Sequence, residues 1–334
     1  MRDFIHYFVS WLRNSSRPAL LLTVFLVAAL VAANYTIGIE SRIQTLPWYF
    51  AIAAFFAFFS LVLSLVWGLQ YEWGWKEQTG TPVPTLRGGR ITVDTTARPS
   101  GYFQPGFVLL LALSALFFSL KMVHWDLSSF LPHSIVYPWN RYTLLVIQLP
   151  LKLILLLFFL YCCRKGGLIE GDSLAASVGL TARGFKPAPY FGLLALLVPL
   201  IALASTQHDF LQVYPKVQIL GFLNGYAQPS WPWRLLYELS YGLDFLGIEL
   251  FFRGLLVIGV LRYAGTDAIL PMAAFYCTIH FGKPMGECIT SFFGGLVLGV
   301  LAARTRTILG GLIVHLGLAW LMELGGWLGH LWMH

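Results

Sequence analysis

Long apolar runs broken by short polar stretches dominate this chain. Runs long enough to cross a hydrocarbon core of about 30 Å lie near 19–39, 47–71, 106–123, 142–163, 190–204, 234–261, 268–282, 287–303 and 308–330. By the window rule for membrane helices, this pattern predicts an all-α, polytopic transmembrane helical bundle of about 8 to 9 spans. Two runs are the softest: 190–204 is short, and 268–282 contains Pro271 and closes near His280. Residues 72–105 are turn-rich, with a brief alternation from Arg90 to Val93, which predicts a polar loop holding a small hairpin. Residues 168–186 read as an amphipathic segment. The loop at 205–233 carries Trp231-Pro232-Trp233, a composition suited to the headgroup region.

Composition agrees: 57% of residues are hydrophobic, 11% are charged and the mean hydropathy is +0.71, well outside the range of a soluble domain. Fourteen Lys and Arg residues fall in segments on the N-terminal side of the predicted membrane and six on the other, with Lys152 and Arg253 inside spans. That bias places the N-terminus in the cytoplasm and the C-terminus outside, in what is expected to be a bacterial inner membrane. The net charge of +7 is then a matter of topology and of contact with membrane lipid, and no basic patch calls for nucleic acid. Asp3, His6 and three arginines among the first residues argue against a cleaved leader. The four cysteines show no CxxC spacing and read as small apolar fillers.

The chain is expected to divide near Gly166, into a four-span region (1–166) with a scaffold or partner-binding role and a second region (167–334) where the chemistry concentrates. Glu249 and Arg253 are one helical turn apart with the acid first, the favoured order for an ion pair. His280 closes one apolar run, Glu287 opens the next across Gly282-Lys283-Pro284, and His315 sits mid-span on a Gly-rich helix. Singly, each has an ordinary structural reading, as a buried ion pair locking a helix or a hydrogen-bonded core histidine. Together they suggest hydrolysis or acyl transfer: a carboxylate and a histidine can orient and deprotonate a water while a second histidine donates to the oxyanion. The chain has no GxSxG, HExxH or phosphate-loop motif, so the signatures of a lipase, a zincin or a nucleotide-driven pump are absent. It also lacks the matched broken helices of a repeat-built transporter. No cofactor is expected; a metal site from His280, His315 and either Glu249 or Glu287 stays open.

These residues carry a family resemblance. Glu249-Leu-Phe-Phe-Arg253-Gly254 resembles the EExxxR/FRG element of the CPBP (CAAX protease and bacteriocin-processing, or Abi) intramembrane endopeptidases, and Tyr276 to His280 resembles their FxxxH element. The stretch from Phe293 to His315 is similar to the approach to their HxxxN element. Departures are Ile248 in place of the first glutamate, Tyr276 in place of Phe and Ala319 in place of Asn. His280-Phe-Gly-Lys283-Pro284-Met-Gly-Glu287 is similar to the HFxKPxxE element of a divergent, myxosortase-like branch. The resemblance implies a protease acting on a membrane-tethered or exported protein or peptide at a C-terminal sorting or processing signal. The roles it implies are Glu249 or Glu287 as base, His280 as its orienting partner, His315 as oxyanion donor, Arg253 as the clamp on Glu249 and Lys283 as a contact for a substrate carboxylate. The alternative is a catalytically inactive scaffold or immunity protein on the same fold.

Overall fold

The computed structural model describes residues 2–74, 83–87, 90–94, 104–123, 125, 130–183 and 185–332. In chain order the helices are α1 (Arg2–Asn14), α2 (Arg17–Ile37), α3 (Ile39–Gln44), α4 (Trp48–Gly74), α5 (Pro105–Met122), α6 (Trp139–Lys165), α7 (Leu174–Ser177), α8 (Ala188–Ala204), α9 (His208–Val213), α10 (Trp231–Glu249), α11 (Leu261–Ala264), α12 (Ile269–Thr278), α13 (Met285–Thr305) and α14 (Leu309–Trp332). A π-helical stretch, Leu250–Gly259, continues α10 without a break. The hairpin expected around Arg90 is present as β1 (Val83–Arg87) paired antiparallel with β2 (Arg90–Asp94).

Among the described residues, six helices are long and apolar enough to cross a membrane: α2, α4, α5, α6, α13 and α14. Tertiary hydrogen bonds sort the loops into two ends. At one end Tyr263 Oη donates to Leu168 O at 3.1 Å and Thr307 Oγ1 to Thr181 O at 2.7 Å. At the other, Asn34 Nδ2 donates to Phe281 O at 3.0 Å, Tyr142 Oη to Trp233 O at 2.8 Å and His330 Nε2 to Leu211 O at 3.1 Å. The chain therefore also passes between the ends along α8, along α10 with its π-helical extension, and along the 265–281 segment. The sequence treats 268–282 as one more span, yet α12 rises only about 15 Å, half a hydrocarbon core. All ten of its residues are buried. It is a core element sheathed by other helices, and its chain reaches the far end through turns at 279–283.

Close packing places α12. Gly295 and Gly299 of α13 lie one turn apart against it, and a Cβ on Gly295 would stand 3.2 Å from Ala273 Cα. Small residues at this spacing let helix backbones approach where lipid supplies no hydrophobic drive. The opposite face of α12 meets the N-terminal spans: the Phe59 ring of α4 lies 4.8 Å from Phe275, and Phe118 of α5 lies 5.6 Å from the same ring. One apolar core thus runs across Gly166, from Phe55 and Val66 to Ala273 and Val300.

Candidate active site

Glu249 ends α10, where the helix passes into its π-helical stretch, and is wholly buried. Such i→i+5 segments occur disproportionately at functional sites. Glu249 Oε1 lies 2.6 Å from His315 Nδ1 and 3.2 Å from Arg253 Nη1, whereas Oε2 has no hydrogen-bond partner. The carboxylate can only accept, so Nδ1 of His315 carries the proton. His315 Nε2 is 2.6 Å from Tyr276 Oη, which donates to it when the ring is neutral. Arg253 is 1% exposed, and its guanidinium lies 4.4 Å from the centre of the Tyr276 ring. Its charge is balanced by one carboxylate and one π face. Glycine makes the pairing possible: a Cβ on Gly311, one turn before His315, would stand 2.1 Å from Glu249 Oε2.

His280 follows α12 and touches the same tyrosine from the other side, with ring centres 4.6 Å apart in an edge contact. Its Nδ1 is 2.8 Å from Tyr276 O. A carbonyl accepts, so Nδ1–H donates and a neutral ring presents Nε2 as a free acceptor. Beyond it, in the first turn of α13, Glu287 Oε2 accepts from Tyr214 Oη at 3.1 Å while Lys283 Nζ lies 3.5 Å from Oε1. Burial, reinforced by Glu287, raises the Tyr214 phenol far above its ordinary range, so the phenol keeps its proton. Lys216 is pushed down to about 8 by burial and by Lys283. Glu323 of α14 ties this loop down by accepting from Lys216 N at 2.7 Å.

The geometry distributes Glu249, His280, Glu287 and His315 unevenly. They form two pairs, Glu249 with His315 inside the bundle and Glu287 with Lys283 at the end bearing Phe281, with His280 between them on Tyr276. The histidine that holds Glu249 is His315, and His280 makes no contact with Glu249. Arg253 stands against Glu249 where the sequence placed it. Lys283 is held by Glu287 and by Tyr214 Oη at 3.4 Å. Ile248 packs into the apolar core, so Glu249 has no adjacent second carboxylate. Sequence reasoning assigned no role to Tyr276, Tyr214 or Gly311. Two of these had a signal, since Tyr276 and Gly311 each precede a site histidine by four residues and so share its face. Among the described residues, no three His, Cys, Asp or Glu side chains converge as a metal-binding group. Cys277 and Cys288 lie 3.9 Å apart at Sγ as buried free thiols.

Comparison with known proteins bears on what this cluster is. Residues 230–321, which hold Glu249, Arg253, Tyr276, His280, Lys283, Glu287 and His315, match the family described as type II CAAX prenyl endopeptidase Rce1-like. This match, over 92 of the 334 residues, supports the likeness to the CPBP family. No curated protein and no solved structure matches the chain. The match is to a family of intramembrane endopeptidases, and the six helices long and apolar enough to cross a membrane among the described residues fit an integral membrane protein.

Proposed function

We propose that the protein is an intramembrane endopeptidase that hydrolyses a peptide bond near the C-terminal processing signal of a membrane-tethered or exported protein, by a glutamate-activated water. The observation that carries this reading is the Glu249 carboxylate: Oε1 is held by His315 and Arg253 while Oε2 is left unpartnered in a buried setting. An oriented carboxylate with one free oxygen is suited to take a proton from water as the water oxygen bonds to the scissile carbonyl carbon. The Tyr276 hydroxyl, turning its one proton away from His315 Nε2, donates to the oxyanion that forms, and His315 holds that tyrosine in place. Collapse of the tetrahedral intermediate breaks the C–N bond, and Glu249 returns the proton to the leaving amine. His280 Nε2, outside this pair, accepts from the water or from the N–H of the scissile amide. Glu287, the second candidate base, has both oxygens occupied by Tyr214 and Lys283, which favours Glu249.

The N-terminus lies on the cytoplasmic side of a bacterial inner membrane, by the positive-charge bias. Substrate then enters from the outer end, past Lys283 and Tyr214. Of the four N-terminal spans, α2, α4 and α5 hold α12 in place and α6 packs on α10. A second reading, an inactive scaffold, has its own support in the complete enclosure of Glu249. The test is Glu249→Gln, an isosteric change, scored by accumulation of an uncleaved membrane protein in cells that keep the variant at normal abundance. Loss of processing is expected; processing at the wild-type rate would leave the scaffold reading standing.

A further inference from the structure

A second group of charges lies within the bundle, apart from the Glu249 cluster. Lys121, the penultimate residue of α5, pairs with Asp244 of α10 at 2.7 Å. Lys152 lies midway along α6, beside both of them, and makes no hydrogen bond or ion pair among the described residues. The three side chains line one cavity with Phe117, Leu153 and Phe251. Two ammonium groups face one carboxylate, so the site carries an excess positive charge at membrane depth, where an unpaired ion is costly and marks a functional site by default.

Two features say what neutralises it. The flanking Leu120, Leu151, Leu155 and Leu243 are all exposed, so the mouth of the cavity opens onto the apolar perimeter of the bundle. Its Lys121 end approaches the aromatic belt: Trp125 Nε1 donates to Leu120 O at 2.8 Å, and the Trp125 ring meets Trp48 at 5.6 Å. Tryptophans gather at the headgroup boundary. The enclosed part, about 10 Å³, holds no more than a water, so the bound group sits at the mouth. We infer that Lys121 and Lys152 form a lateral site for the phosphate of an anionic phospholipid, its acyl chains lying along the leucines. Asp244 shares Lys121 with that phosphate and limits the affinity.

The inference is independent of the protease reading and is tested without a substrate. Full-length protein is reconstituted into nanodiscs of phosphatidylcholine alone or equimolar with phosphatidylglycerol, and retained lipid is counted by native mass spectrometry. Wild-type protein is expected to retain phosphatidylglycerol selectively and to gain thermal stability from it. Lys152→Gln should lower its occupancy about fivefold, the effect of one basic residue near an anionic surface. Lys152→Arg should preserve it, and Asp244→Asn should raise it. Equal retention of both lipids, or unchanged phosphatidylglycerol occupancy in Lys152→Gln and Lys121→Gln, overturns the site. Stabilisation by inorganic phosphate equal to that by phosphatidylglycerol overturns the lipid as its occupant.

Discussion

Gly311→Ala is the sharpest perturbation the structure offers, because two effects of opposite sign meet there. Replacing a helix-interior glycine with alanine ordinarily stabilises by roughly 0.5–1 kcal/mol. Here the new methyl carbon would stand 2.1 Å from Glu249 Oε2 and 2.8 Å from its Cδ, so the carboxylate must move. Moving it breaks the 2.6 Å contact to His315 and the 3.2 Å contact to Arg253, leaving a guanidinium 1% exposed without its counter-charge. Breaking a buried pair costs about 3–5 kcal/mol, so the expected balance is a net loss of roughly 2–4 kcal/mol. The assay is the thermal midpoint in one detergent alongside processing of the accumulating substrate. Gly294→Ala, where a Cβ meets nothing within 4 Å, serves as the internal control and should be neutral or slightly stabilising. A Gly311→Ala protein as stable and as active as the control would refute the idea that this glycine is the seat of the Glu249 carboxylate.

Two further outcomes are expected. Tyr276→Phe removes the hydroxyl 2.6 Å from His315 Nε2 and leaves that nitrogen buried without its partner; it should cost about 1–3 kcal/mol and lower the turnover rate more than the apparent substrate affinity, and unchanged turnover in well-folded protein would exclude a role for this hydroxyl. Lys216 should acylate with a midpoint near pH 8, and because its pKa is lower in the fold than the ordinary 10.5, the unfolded chain binds more protons between those values and stability should rise with pH across that window; a labelling midpoint near 10.5 in the native protein would contradict its burial beside Lys283.

Apolar runs revealed most of the helices because a membrane span needs a long hydrophobic stretch and little else. The same reasoning could not tell 268–282 from a lipid-facing span: hydropathy reports burial, and α12 is buried by protein. The Glu249–Arg253 pair was legible because helical spacing alone brings the two together. Joining His315 to Glu249 depends on a close approach between α10 and α14, sixty-six residues apart, and on Gly311 vacating the space. No local pattern encodes that contact. Tyr276 was visible only as a departure from the phenylalanine of the CPBP element, and its role appeared once its hydroxyl met a histidine from another helix.

The apolar core that runs across Gly166 bears on how the chain could be cut. Residues 230–321 hold the groups proposed to react, but part of what encloses them comes from Phe59 and Phe118 in α4 and α5. Those early helices act as the solvent of the site, setting the dielectric in which a carboxylate and a guanidinium sit together. A fragment beginning after Gly166 would keep every group named in the chemistry and lose one wall of that medium, leaving the outer face of α12 to lipid. Grafting the reactive residues onto another bundle would carry over the groups without the medium that gives them their strength.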